Sequence, residues 1–204
     1  MIEPQQFTPE LLERLKAGDR QAFSELVERT SGKIYSLGLK MLGNEQDAED
    51  MLQETYIKAY KALPGFENRS SVSTWLFRIA ANEALMILRK RKNALPAFDI
   101  DAEADDDAQP VEIVDWCCLP ESELASTETK NELNNAITKL SPVLRMVFLL
   151  RDMEGFSGAE TAGILGINED AVQTRLVRAR LRLREELAVY FKERLRIPWA
   201  YQVT

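Results

Sequence analysis

"SGAETAGILGINEDAVQTRLVRARLRLREEL", Ser157 to Leu187, holds a short segment, a glycine and a long segment. Ser157 and Glu160 have the S-x-x-E spacing of a capping box, in which each side chain satisfies the other's backbone N–H at a helix start. The short helix they open stops at Gly166, and Asn168 caps a second helix from about Glu169 to Leu195. Within that helix Val172, Leu176, Ala179, Leu183 and Leu187 are spaced by 4, 3, 4 and 4, one narrow apolar face. At about 100° per residue, Gln173 lies beside that face. Thr174, Arg175 and Arg178 point away from it or flank its other side.

Two helices joined in this way form a helix-turn-helix. The first turns of its second helix suit a major groove, where Gln pairs bidentately with adenine and Arg reads guanine or clamps phosphate. Gln173 and Thr174 are therefore assigned to bases, and Arg175 and Arg178 to phosphate or mixed contacts. Val177 and Leu181 sit on the exposed arc with no core to explain them. They are either methyl contacts to DNA or a docking patch for a protein.

This basic stretch belongs to an acidic chain. The 204 residues carry a formal charge of -7, yet residues 1–93 hold 14 basic and 13 acidic residues and residues 131–204 hold 11 and 9. Residues 94–130 hold 1 basic and 11 acidic residues, with Pro96, Pro110 and Pro120 and the run Asp105-Asp106-Asp107. That composition cannot easily bury a core and reads as a linker. Local patches, not the global charge, decide what each end binds.

Both flanking blocks read as all-α. After the linker, Asn131 to Leu140 is one helix. Ser141-Pro142 opens a second, which runs to Met153 with Gly155 just beyond. Before the linker, Thr8-Pro9 starts a helix that ends at Gly18. Gln21 to Leu42 is a long helix with Phe23, Leu26, Val27, Ile34, Leu37 and Met41 at helical spacing. Gly43 stops it, and Asn44 caps a third helix ended by Pro64-Gly65. Ser73 starts a fourth helix, which ends in the basic run Arg89 to Lys92.

"FENRSSVSTWLFRIAANEALMILRKRKN", Phe66 to Asn93, mixes a polar loop, aromatics and a basic helix. Trp75 and Phe77 are either core rings or part of a platform where the Phe66–Ser73 loop receives unstacked bases. In the second case Arg78 and the Arg89–Lys92 run hold the backbone, and Asn82 reaches a base. The preceding helix opens with Asp47, Glu49, Asp50 and Glu54. That is more acid than a helix N-terminus needs, and a partner with a basic surface accounts for the excess.

Composition also excludes functions. Without histidine the commonest general base and the Ser-His and Cys-His pairs are missing. The two cysteines, Cys117 and Cys118, are adjacent, so neither a disulfide framework nor zinc spacing exists. No enzymatic role, metal or cofactor is expected. No stretch of about 18 apolar residues occurs, and the N-terminus lacks the pattern of a secretory signal. The expected location is the cytoplasm, without membrane insertion.

Taken in order, "QDAEDMLQETYIKAYKAL", "FENRSSVSTWLFRIAANEAL" and "LSPVLRMVFLLRDMEGFSGAETAGILGINEDAVQTRLVRARLRLREEL" resemble regions 2.2, 2.3–2.4 and 4 of the extracytoplasmic-function (group 4) sigma factors of bacterial RNA polymerase. The resemblance covers both blocks, with a linker between them. It implies region 2 over residues 1–93, an acidic linker over 94–130, a region 4 helix-turn-helix over 131–195 and a tail over 196–204. It further implies docking on core polymerase, at the β′ clamp helices and the β flap, with Asp47, Asp50, Gln53 and Glu54 on the clamp. The −10 element would be recognised and melted by Asn68, Arg69, Ser70, Ser71, Trp75, Arg78 and Asn82. The −35 element would be read by Gln173, Thr174, Arg175 and Arg178. An acidic linker would thread the polymerase cleft in place of nucleic acid, and an anti-sigma protein would hold the factor inactive.

Two other readings compete. A free-standing helix-turn-helix regulator explains the last block and leaves "STWLFRIAANEAL" and the acidic helix unused. A metal-dependent hydrolase built on Asp99 to Asp107 lacks histidine and places its carboxylates in a linker.

Overall fold

The computed structural model describes residues 7–93 and 127–194, and the described residues form helices with no strand among them. The acidic run 99–107, Cys117-Cys118 and the tail 196–204 lie outside the described residues. The first block holds α1 (Pro9–Lys16), α2 (Arg20–Leu42), α3 (Glu45–Ala62) and α4 (Val72–Asn93). The second holds α5 (Thr127–Lys139), α6 (Pro142–Phe148), α7 (Gly158–Leu165) and α8 (Glu169–Arg194).

Helix starts are set by side chains that occupy orphan N–H groups. Thr8 caps α1, Asp19 caps α2 by accepting from the N–H groups of Gln21 and Ala22, and Asn44 caps α3 through the Asp47 N–H at 2.8 Å. The left-handed residue at Gly43, φ 75°, ends α2. Between α2 and α3, a side chain at Gly38 would meet the Met51 Cε at 2.8 Å, so glycine there lets the two helices cross closely.

Three expectations need correction. The fourth helix begins at Val72, not Ser73, because Ser71 accepts the Thr74 N–H at 3.0 Å. The helix expected from Asn131 begins at Thr127, one turn earlier. The helix expected to run unbroken to Met153 changes at Leu149 into a π-helical turn, Leu149–Met153, with the Glu154 N–H bonded to the Leu149 carbonyl at 2.9 Å. Sequence periodicity does not report such a widened turn, which adds one residue per hydrogen-bonded ring.

One apolar core runs through both blocks. Leu26, Ile34, Leu37 and Met41 of α2, Met51 of α3 and Leu76 of α4 join Ile137, Met146, Leu149 and Leu150 of the second block. A smaller cluster of Val147, Ala162, Val172 and Leu176 holds α6, α7 and α8 together. Arg145 is buried between the blocks and donates to the Met41 carbonyl at 2.7 Å, the Leu140 carbonyl at 3.0 Å and the Thr138 carbonyl.

Candidate nucleic-acid interface

In α7 and α8 the local rules read from sequence are present as geometry. Ser157 and Glu160 form both bonds of the capping box, at 3.2 and 2.8 Å. Gly166 is left-handed at φ 68°, and Asn168 accepts the Ala171 N–H at 2.7 Å. These contacts fix the turn between the two helices. Val172, Leu176, Ala179 and Leu183 are buried, and Leu187 packs against the core. The face opposite is therefore turned outward. Gln173 and Thr174 are exposed on its first turns, while Arg175 and Arg178 are half-buried. The Thr174 hydroxyl donates to the Asp170 carbonyl at 2.9 Å, which leaves its oxygen free to accept. Val177 is 46% exposed beside them, and Leu181 is half-buried.

Arg180 was not singled out by sequence. Asp152, in the π-helical turn, holds it with two bonds of 2.9 and 2.7 Å. A bidentate charge-assisted pair fixes direction as well as distance, so it ties the rotation of α8 to the end of α6. The carboxylate beside it also raises the pKa of the Arg180 guanidinium.

The other set of residues lies on α4 and the loop before it. Trp75, Arg78 and Asn82 share one helical face at i, i+3 and i+7. Trp75 is half-buried against Phe66, ring centroids 5.1 Å apart, and Asn82 is exposed. The ring thus packs on the core with one part still reachable by solvent. Phe77 is core: it is buried edge-on against Phe156 of the second block at 4.8 Å. In the loop Asn68 takes a left-handed conformation, φ 58°, which Asn tolerates better than most residues. Arg69 is exposed and pairs with Glu67 at 2.6 Å, Ser70 is half-buried, and Ser71 is spent on capping α4. Arg78 is exposed but engaged, since its Nη2 donates to the Gly163 carbonyl of α7.

The acidic face of α3 is divided. Asp50, Gln53 and Glu54 are exposed together on one side, followed one turn later by Ile57, 46% exposed. Asp47 is instead half-buried, paired with Arg91 of α4 and accepting from the Asn44 amide at 2.8 Å. Arg91 also donates to the Leu42 carbonyl at 3.0 Å. Part of the basic run at the end of α4 is thus structural. Among the described residues no cluster of His, Cys, Asp and Glu has the arrangement of a metal site. No described helix is long and apolar enough to cross a membrane.

Comparison with known proteins gives this geometry a family. The family model of sigma-70 region 2 matches residues 26–94, and that of sigma-70 region 4 matches residues 130–183. The ECF RNA polymerase sigma factor SigW of Bacillus subtilis (strain 168) is 36% identical over 179 residues, 86% of this chain and 94% of that protein. The ECF RNA polymerase sigma-E factor of Escherichia coli (strain K12) is 35% identical over 170 residues, 83% of this chain and 88% of that protein. The chain belongs to the extracytoplasmic-function sigma factors.

Among solved structures, the sigma factor RpoE of Bartonella quintana, in complex with the anti-sigma factor NepR, is 27% identical. The match covers 82% of this chain and 97% of that one, with a TM-score of 0.62. CnrH, solved with the cytosolic domain of CnrY, shares the fold at 24% identity and a TM-score of 0.64. As a sigma factor the chain binds core RNA polymerase and directs promoter-specific initiation. This accounts for the two blocks together, which a free-standing regulator does not. Of the residues of region 4 that sequence singled out, Thr174 faces outward with the half-buried Arg178 beside it, and Gln173 and the half-buried Arg175 flank them on either side of α8. Those of region 2 divide between the loop, one face of α4 and the α3 surface.

Proposed function

We propose a division of labour among the surfaces of this sigma factor. Gln173 and Thr174 read base edges of the −35 duplex, with Arg175 and Arg178 on phosphates. The loop from Asn68 to Ser71, with Trp75, Arg78 and Asn82, takes the separated −10 strand. Asp50, Gln53 and Glu54 meet the basic clamp of core polymerase, and Asp47 supports that face through its pair with Arg91. In this reading region 2 extends over residues 1–93, the linker over 94–130, region 4 over 131–195 and the tail over 196–204. The protein does no chemistry of its own and works in the cytoplasm, where core polymerase is. An anti-sigma protein controls it; the complex of RpoE with NepR supports that reading.

The observation that carries the proposal is the exposure of Gln173 and Thr174 on the first turns of a capped helix whose opposite face is buried. A helix held in this way presents its N-terminal turns to a major groove. The test is transcription in vitro from a random promoter library with core polymerase and this protein. The expected result is initiation from templates sharing two elements about 25 base pairs apart, or about 85 Å along the duplex. Initiation from templates sharing no element would overturn the reading.

A further inference from the structure

The loop that precedes α4 is tied at both ends to Trp75. At its start Phe66 is buried, with its ring against the Trp75 ring at 5.1 Å, and its N–H closes the turn Leu63–Gly65 on the Leu63 carbonyl at 3.0 Å. At its end the Ser71 carbonyl accepts the Trp75 N–H at 3.0 Å. The Ser71 hydroxyl meets the Thr74 N–H at 3.0 Å and the Thr74 hydroxyl at 2.8 Å. Residues 67–70 therefore close a loop between two fixed points. The reversal falls on Asn68, the only non-glycine residue with positive φ among the described residues, at 58°.

In the left-handed region the Cβ of an L-residue crowds the following carbonyl oxygen. Glycine escapes because it has no Cβ, and asparagine because its short amide can bond the backbone nearby. Alanine has neither escape, and β-branching makes valine worse. The left-handed φ thus accounts for asparagine at this position without a base contact. With Phe66 and Ser71 held, a change of φ at Asn68 is absorbed within residues 67–70, and the direction of Arg69 changes with it. Arg69 is exposed and pairs with the exposed Glu67 at 2.6 Å, so the turn sets where this pair stands.

We propose that Asn68 is a positioning residue for promoter recognition: its left-handed turn aims Arg69 and Ser70 at the separated −10 strand, and its amide makes no contact that recognition needs. This rests on the reading of the loop and α4 as the −10 surface, and narrows that reading at one residue.

The test uses the full chain with core polymerase, carrying Asn68→Gly, Asn68→Ala or Asn68→Val. All three delete the amide, and only glycine takes the turn without steric cost. Affinity for a single strand carrying the library-selected −10 element is measured beside −35 preference and core binding, and circular dichroism reports folding. The expected result is about tenfold weaker strand binding in Asn68→Ala, with a larger loss in Asn68→Val. Asn68→Gly recovers most of what Asn68→Ala loses. The −35 preference and core binding do not follow this series.

Equal strand affinities for Asn68→Gly and Asn68→Ala overturn the proposal. If both are weak, the amide itself meets the strand; if both match wild type, the turn is dispensable. Should Asn68→Val unfold, the glycine and alanine variants decide. The double variant Arg69→Ala, Asn82→Ala tests the underlying reading separately. A wild-type −10 preference there overturns the assignment of the loop and α4 to the strand, and the role of the turn with it. A relaxed preference there, with no recovery by glycine, overturns the role of the turn alone.

Discussion

On α8, Gln173 and Thr174 face solvent. On α4, Arg78 donates to a carbonyl of α7. The surface proposed for the duplex opens to solvent at these two residues, while the one proposed for the separated strand is partly covered by the other block. The difference follows from how each surface is built. The −35 face depends on one helix whose opposite side packs within block 2, so its own small core is enough to aim it. The −10 surface depends on a loop and a helix face that also carries the seam between blocks. The largest way to break this comparison is Leu176→Ala, in the cluster of Val147, Ala162, Val172 and Leu176. A large-to-small change at such a site costs about 2–5 kcal/mol. The expected outcome in thermal melts is an early loss of region 4, with −35-dependent initiation abolished and single-strand binding by region 2 retained. Loss of both activities in parallel would show that the aim of α8 depends on the shared core.

Region 2 has an ion pair of a different character from those of region 4. Lys58 of α3 donates to Glu83 of α4 at 2.6 Å, and the Glu83 side chain is only 8% exposed. Lys58→Met leaves that carboxylate buried without its cation, at a cost of about 2–3 kcal/mol. Glu83→Gln should cost less, because an amide is easier to bury alone. The carboxylate holds the Lys58 pKa above its ordinary 10.5. A raised lysine pKa means the stabilisation is fully present below the unfolded value and is lost as pH rises through the folded one. Alkaline melts above pH 10.5 should therefore destabilise the wild type more than Lys58→Met.

Most of region 4 was legible because its signals are local. Ser157 with Glu160, Gly166 and Asn168 each act within four residues, and the apolar spacing of α8 needs no partner to be read. Region 2 was legible as helices, but its residues left core and nucleic-acid roles open for the loop and α4, and family resemblance chose between them. Sequence gave no access to contacts made across the chain. Arg145 meets Met41 across 104 positions, and Arg78 meets Gly163 across 85. The one hint was a lone arginine within the apolar run PVLRMVFLL. Asp47 was assigned to polymerase with the rest of its acidic face, and only folding shows Arg91 beside it. The π-helical turn leaves the composition of a helix unchanged and was read as one.

The readers can be separated by function with Gln173→Ala. Losing a bidentate contact to adenine weakens discrimination at one −35 position by about 1–2 kcal/mol. A promoter library transcribed with this variant should relax at that position and keep its −10 preference. Relaxation spread over both elements would mean that α8 acts by docking the blocks and not by reading bases.

The smallest expected effect concerns how firmly α8 is aimed. Arg180 is more than half exposed and Asp152 a quarter exposed, so their pair is largely solvated despite its bidentate form. Exposed pairs contribute about 0–1 kcal/mol, and salt screens them. Asp152→Asn should therefore shift the melting of region 4 by no more than that, far less than Lys58→Met shifts region 2. Its effect on DNA should be larger than its effect on stability. Releasing Arg180 adds one mobile cation beside the reading face, and each additional phosphate neutralised steepens the dependence of log affinity on log salt by about 0.9. Binding of the full chain, with core polymerase, to −35 duplex measured across salt concentrations should show that steeper slope. A slope equal to wild type would mean that Arg180 does not reach the backbone even when freed, and that the pair serves only to hold α8 against α6.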